Sequence, residues 1–263
     1  MTIRIGRGTL SFSMPDNEGN VRYEPYLVKS GVSMAANLRE AFKTSDFLMQ
    51  APKRARVLVD TEVMMTPVEI FDEKTMQDMY YHTYPDKKQE AVFYNVLPDL
   101  NAVAVFSMNK DLKLVLDDHF IDVRLISAIS PVWRHLHQRS YTGARNKLYG
   151  YFHEKQLEVF SFQQNRFKFC NSFCVNHLHD ALFFLLYVWK QLQLQPLYDE
   201  LHIVGDIFTQ PNFDTDKFDI PTELRKYLQK VYIINPSVDF NRAPVTEING
   251  MPYDLQTLFV KGR

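Results

Sequence analysis

Hydrophobic and polar positions alternate most regularly between Lys147 and Val175, and this region predicts three strands, at 148–153, 157–163 and 166–175. The links His153-Glu154-Lys155-Gln156 and Gln164-Asn165 are short and polar, which suits a meander of hairpins. In the third strand Phe167, Phe169, Phe173 and Val175 are expected on one face, with Arg166, Lys168, Cys170, Ser172 and Cys174 on the other. Asn176 is then placed to cap a helix over 178–194 that is apolar around nearly its whole girth, so it should be buried on several sides. Pro196 follows, then a buried strand at 201–205, a helix at 221–230 led by a proline, and a strand at 231–235. The order is β-β-β-α-β-α-β.

The first half repeats this order imperfectly. Strands at 9–14 and 21–29 flank the turn Asp16-Asn17-Glu18-Gly19-Asn20. Ser33 caps a helix with Leu38, Phe42 and Met49 on its apolar side, and a buried strand at 56–60 precedes a helix around 72–82. Matching Thr9 to Lys147, Met34 to Leu178 and Val57 to Ile203 gives shifts of 138, 144 and 146 residues, as an old duplication with small insertions would. Two lobes follow, at 1–136 and 146–263, with the polar segment 137–146 as hinge. The first carries an expected inserted subdomain at 85–130, with strands at 91–96, 102–108 and 123–126 and a helix at 110–119.

Composition narrows the function classes. The chain has 263 residues, 30 Lys+Arg against 31 Asp+Glu, 46% hydrophobic and 14% aromatic residues. These values exclude wholesale disorder and a nucleic-acid binder built on global positive charge. The longest apolar run, 181–189, has nine residues, where a spanning helix needs about 20, so no membrane span is expected. The first ten residues lack the apolar stretch of a secretory signal, and two cysteines offer no disulfide framework, so a cytoplasmic location is expected. Only nine glycines are present, which disfavours enzyme classes needing several glycine-rich phosphate loops.

A β-β-β-α-β-α-β unit used twice, with a subdomain inserted in the first copy, resembles the actin-like ATPase superfamily and its ribonuclease H-like lobes. The stretch from Leu97-Pro98 through Ile126-Ser127-Ala128-Ile129-Ser130-Pro131 is similar to the corresponding region of pilus-assembly and secretion members. The whole chain resembles a family of uncharacterised bacterial proteins assigned to this fold. The resemblance implies an ATP site between the lobes, with a D-x-G type turn between the first two strands of each lobe for the phosphates and a paired-glycine strand end for adenosine. The first-lobe counterpart, 9–16, has neither Asp nor Gly within its strand. The second, 147–154, has Gly150 followed by Tyr151 and Phe152 where small residues belong. The strand end reads Leu201-His202-Ile203-Val204-Gly205-Asp206, with an Asp in place of the second glycine. Because several elements fail together, the resemblance implies a degenerate, non-hydrolysing member acting as a protein-interaction or scaffold protein, with no cofactor. The alternative is a nucleotide switch or weak ATPase holding Mg-ATP in the cleft, with Gly150, Gly205 and Asp206 as its binding candidates.

Other motifs have plainer readings. Cys170, Cys174, His177 and His179 have a zinc-like spacing, but two cysteines four residues apart on one strand are separated by about 13 Å at roughly 3.3 Å per residue. That is too far for one tetrahedral ion with bonds of about 2.3 Å. His177 with His179, and His135 with His137, sit at i,i+2 on helices and point to different sides. The acidic run 214–219 lacks the glycine and terminal Glu of an EF-hand. Ser107-Met108-Asn109-Lys110 matches S-x-x-K without its companion motifs. Lys53-Arg54-Ala55-Arg56 reads as a solvated loop. Twenty Phe and 14 Tyr exceed what such a core requires. Tyr80, Tyr81 and Tyr84, beside the insertion, are therefore candidates for a surface that binds an unidentified protein partner, or else a cap on the first lobe's core.

Overall fold

The computed structural model describes residues 1–16, 18, 20–49, 52–141, 145–163, 166–206 and 219–261. The chain forms two compact units: Met1–Pro131 with Ile248–Leu255, and Val132–Glu247 with Gln256–Arg263. The segment 248–255, expected in the second lobe, thus belongs to the first.

The first unit begins with a strand that the polar pattern concealed. Strands β1 (Thr2–Ile5), β2 (Leu10–Pro15) and β3 (Val21–Tyr26) are followed by helices α1 (Met34–Thr44) and α2 (Asp46–Met49) and by β4 (Arg54–Val59). Next come β5 (Val63–Pro67), α3 (Met76–Thr83), β6 (Ala91–Leu97), β7 (Ala102–Met108), α4 (Lys110–His119), β8 (Asp122–Ser127) and α5 (Ile129–Ser140). The main sheet has the order β3-β2-β1-β4-β8, antiparallel up to β1 and parallel beyond it. Ile3, Ile5, Phe12, Val57 and Leu125 project from it onto α1 and α4 through Leu38, Ala41, Val115 and Leu116, all within one core cluster. Ser33 caps α1 as expected, its Oγ accepting from the Ala36 N–H at 3.2 Å. Met49 lies in α2 and is 65% exposed, so it is not on the apolar face of α1.

The insertion is displaced from its expected bounds. β5, β7 and β6 form a separate antiparallel sheet, on which α3 packs through Tyr80. β8 instead pairs with β4 in the main sheet, and α4 packs on the main core. The small subdomain therefore spans 63–108 rather than 85–130, and α4, not the helix near 72–82, is the second helix of the lobe.

The second unit matches its predicted order. It contains β9 (Lys147–His153), β10 (Gln156–Gln163), β11 (Arg166–Cys174), α6 (Leu178–Gln191), β12 (Glu200–Gly205), α7 (Ile220–Leu224), β13 (Val231–Ile233), α8 (Pro236–Asp239) and α9 (Tyr253–Lys261), the last of which starts in the first unit's returning segment. Its sheet has the order β11-β10-β9-β12-β13, with the same antiparallel-then-parallel arrangement. The helix is capped at His177 rather than at Asn176, and Asp180 Oδ2 accepts from both backbone N–H groups, at 2.8 and 3.1 Å. One face assignment changes. The register of β10 with β11 shifts so that Lys168 is an extra residue between Phe167 and Phe169. This bulge turns Phe167 to the opposite face, against Trp133 and Phe162, while Phe169 and Phe173 pack toward α6. The first four residues of the expected hinge, 137–140, are helical, in α5.

With β1 in place the internal repeat tightens. Thr2 corresponds to Lys147, Leu10 to Gln156, Val21 to Arg166, Met34 to Leu178 and Arg54 to Glu200, shifts of 145, 146, 145, 144 and 146 residues. The match of Thr9 with Lys147 is therefore off by one strand.

Candidate functional site

This correction moves the turn between the first two strands of the first unit from 9–16 to Gly6-Arg7-Gly8-Thr9. The turn is closed by the Gly6 N–H donating to the Thr9 carbonyl at 2.8 Å. It has the small residues that the shifted match lacked. One arginine precedes the turn and a second lies within it. Arg4 is 2% exposed, and its guanidinium meets Asp254 at 2.9 Å and Asp60 at 3.4 Å, both carboxylates being nearly fully buried. Arg4 also donates to Thr9 Oγ1 at 3.0 Å. Arg7 pairs with Asp60 at 3.5 Å and with Glu62 at 2.7 Å.

From Glu62 the polar chain runs into the small subdomain. Lys87 approaches Glu62 at 3.0 Å and Glu90 at 3.6 Å. Ser107 Oγ donates to Glu90 at 2.5 Å, and the Tyr80 hydroxyl lies 3.1 Å from that Oγ while donating to the Glu62 carbonyl at 2.7 Å. Burial alone would raise the Glu62 carboxyl, but the Arg7 charge and hydrogen bonds from Arg7 and Lys87 hold it at about 2. Burial pulls the Lys87 ammonium down, and the carboxylates around it, Glu62 foremost, win and raise it. Burial pushes the Tyr80 hydroxyl well above its ordinary value. These charges thus pair with one another from the turn into the small subdomain.

In the second unit the corresponding turn is tight. His153 pairs with Gln156, and the two residues between them, Glu154 and Lys155, have φ of 40° and 65°, the backbone of a type I′ hairpin. Gly150 lies mid-strand, where an added Cβ would sit 3.1 Å from a Leu185 methyl, so its lack of a side chain lets α6 pack closely on the sheet. Gly205, at φ +104°, ends β12, and a Cβ there would lie 2.0 Å from the Phe152 carbonyl oxygen. Asp206 is exposed beside it, its N–H donating to that same oxygen at 2.9 Å. The two form a neighbouring pair, whereas Gly150 pairs with Ile203 farther down the sheet.

The three tyrosines are packing residues of the small subdomain. Tyr80 is fully buried and cannot present a surface. Tyr81 and Tyr84 are half-buried and pack in the same cluster. Their hydroxyls donate to the carbonyls of Glu90 at 2.7 Å and Val63 at 3.3 Å.

A family described as a protein of unknown function, DUF3822, matches residues 1–231. The chain belongs to this family. Among solved structures, a Bacteroides thetaiotaomicron protein of actin-like ATPase fold and unknown function is 27% identical with a TM-score of 0.80, covering 94% of this chain and 95% of that one. A type IV pilus biogenesis complex, PilM–PilN, matches with a TM-score of 0.57 at 11% identity, over 98% of this chain and 96% of that one. No curated protein matches. The DUF3822 chain thus has the actin-like ATPase fold.

The remaining motifs stay apart. Cys170 and Cys174 are free thiols, and among the described residues no group of three His, Cys, Asp or Glu side chains could hold a metal ion. Ser107 is fully buried on Glu90, while Lys110 is exposed at the start of α4. Arg54 is exposed, 3.6 Å from Asp122. The acidic run at 214–219 falls outside the described residues except for Asp219, which caps α7 through the Thr222 N–H at 3.0 Å. No helix among the described residues is long and apolar enough to cross a membrane.

The sequence reading missed Arg4, Arg7, Asp60, Glu62 and Asp254. One signal was available, the Gly6-Arg7-Gly8 triplet, since two glycines around a cation are unusual in a chain with nine glycines.

Proposed function

We propose that this chain is a non-catalytic protein-interaction protein, acting in the cytoplasm, that keeps the actin-like fold without nucleotide chemistry. The observation that carries the reading is the Arg4–Asp60–Arg7 cluster at the first hairpin turn. A carboxylate can recruit Mg²⁺ only if its lone pairs are free, and Asp60 lies between two guanidinium groups, at 3.4 and 3.5 Å. A divalent cation arriving there would meet two fixed positive charges. The two-residue turn at Glu154-Lys155 adds support, since it offers no run of backbone amides for a phosphate. The PilM–PilN structure, a complex of a fold relative with a second protein, is in keeping with a partnered role.

A second reading has one observation in its favour. Gly205 and Asp206 stand at the carboxyl end of a parallel strand, the edge where open α/β sheets take ligands. The test is the melting temperature of the full chain with and without millimolar Mg-ATP. Ligand at a hundred times its dissociation constant stabilises by about 2.7 kcal/mol, a shift of several degrees. The expected outcome is no shift. A rise that disappears in Asp206→Ala would establish the nucleotide switch instead. Gly205→Val is unsuitable as a control, because its side chain would collide with the Phe152 carbonyl.

A further inference from the structure

The first unit has a groove of about 510 Å³ between two sheet edges, β6 of the small sheet and β8 of the main sheet. Its floor and walls include Met76, Val92, Tyr94 and Val123, and its polar side chains include Glu73, Lys113 and Arg124. The two edges meet at Asn95. The Asn95 Nδ2 donates to the Leu125 carbonyl at 3.0 Å, and the Asn95 Oδ1 accepts from the Ser127 N–H at 2.9 Å. One side-chain amide thus does for the upper part of β8 what a neighbouring strand would do. Backbone groups alternate in direction along a strand, and the even-numbered residues of β8 face β4, as the Asp122 and Ala128 N–H bonds to Lys53 and Val59 indicate. The N–H and C=O of Val123 and the N–H of Leu125 therefore point into the groove, where Asn95 does not reach.

The charges favour an acidic occupant. Arg124 is exposed, and its register partner on β4 is Arg56, a like-charged neighbour across the strand pair. Lys113 on another wall is already matched by Asp117 at 2.6 Å, and Glu73 is exposed. Among the described residues that line the groove, Arg124 is the cation with no ion pair to a carboxylate, and it lies beside the open backbone groups of Val123 and Leu125.

We propose that this groove binds an extended peptide segment of a partner protein, which pairs with the edge of β8, places alternate apolar side chains against Val92, Tyr94 and Val123, and sets an Asp or Glu against Arg124. Strand addition takes its affinity from main-chain hydrogen bonds and its specificity from pockets for alternate side chains. The proposal deepens the interaction reading above and rests on it. Met76, Val92 and Tyr94 also pack against the Tyr80, Tyr81 and Tyr84 cluster, so the partner surface moves from those tyrosines to the adjoining, β8-facing edge of the insertion.

The experiment selects a random dodecapeptide display library on the full chain, counter-selects on Arg124→Glu, and measures the best synthetic peptide by fluorescence anisotropy. Recovered peptides should alternate apolar residues and carry one acidic residue. Affinity should fall at least about tenfold in Arg124→Glu, recover in Arg124→Lys, and leave the melting temperature unchanged. N-methylation of alternate peptide amides should abolish binding in one register and spare it in the other. No enrichment over the counter-target, equal binding by Arg124→Glu, or indifference to N-methyl register would overturn the proposal. So would a concentration-dependent dimer in sedimentation that Arg124→Glu dissolves, which would make a second copy of this chain the occupant. A Mg-ATP melting shift present equally in wild type and Arg124→Glu would count against the non-nucleotide reading and leave the groove standing on the peptide result.

Discussion

Glu62 carries much of what is unusual at the residue scale, because a side chain three-quarters withdrawn from water keeps its charge only through Arg7 and Lys87. Its carboxyl is held at about 2 in the folded chain, below the usual carboxylate value of about 4.3 in an unfolded chain. A depressed value means that the folded state favours the charged form, so the contribution is full above the unfolded value and fades as pH falls through the folded one. Glu62→Gln should therefore destabilise the protein at pH 7 by about 1–3 kcal/mol. In urea titrations the gap to wild type should shrink as pH drops from about 5 toward 2. A gap as wide at pH 2.5 as at pH 7 would show that Glu62 acts by shape and not by charge. Little of this was legible from the residues. Arg7 stands out between two glycines, but its partners are 53 and 55 positions away, and nothing in a strand's alternation says which carboxylate a buried arginine will meet.

Elements were legible where one face is apolar and the other wet, as in α1 and α4, and failed where chemistry broke the pattern. β1 has only four residues, and the alternation of Thr2 and Arg4 with Ile3 and Ile5 looks half-solvated although all four are buried. Phe167 was assigned to the wrong face because a bulge adds one residue at Lys168, and a shift of one reverses every side chain beyond it. The two glycines of the second sheet invite a direct comparison. At Gly150 a methyl group would press on the movable end of Leu185 at 3.1 Å, an overpacking cost of about 1–2 kcal/mol. At Gly205 it would strike a backbone carbonyl at 2.0 Å with φ at +104°, strain that side-chain movement cannot relieve. Gly205→Ala should therefore lose about 3 kcal/mol or more, and clearly more than Gly150→Ala, in the same denaturant titration. Equal losses would mean that β12 can slide away from Phe152.

At the scale of the whole molecule, the order of elements in each half was readable, and the fold followed from it. The connection between chain ends was not. The segment Ile248–Leu255 returns to the first unit, where Asp254 meets Arg4 across 250 residues of sequence. Neither residue announces this, since a buried ion pair leaves no periodicity and the segment is too short to show its own pattern. A pair this dry is costly to break on one side. Arg4→Met would leave the carboxylates of Asp254 and Asp60 in a site with almost no solvent access, a loss of about 3–5 kcal/mol. Asp254→Leu should cost less, because Arg4 keeps Asp60 and Thr9. If the two residues act as one contact, the double variant should be more stable than the sum of the single losses predicts, by about 1–3 kcal/mol. Native-state hydrogen exchange gives a second readout. Asp254→Leu should weaken protection at the Ile3 and Ile5 amides, at the opposite end of the chain, while leaving amides of α6 in the second unit protected as in wild type. Strictly additive losses, or loosening confined to residues near 254, would show that the returning segment is held by its apolar contacts alone and that Arg4 serves only the turn beside it.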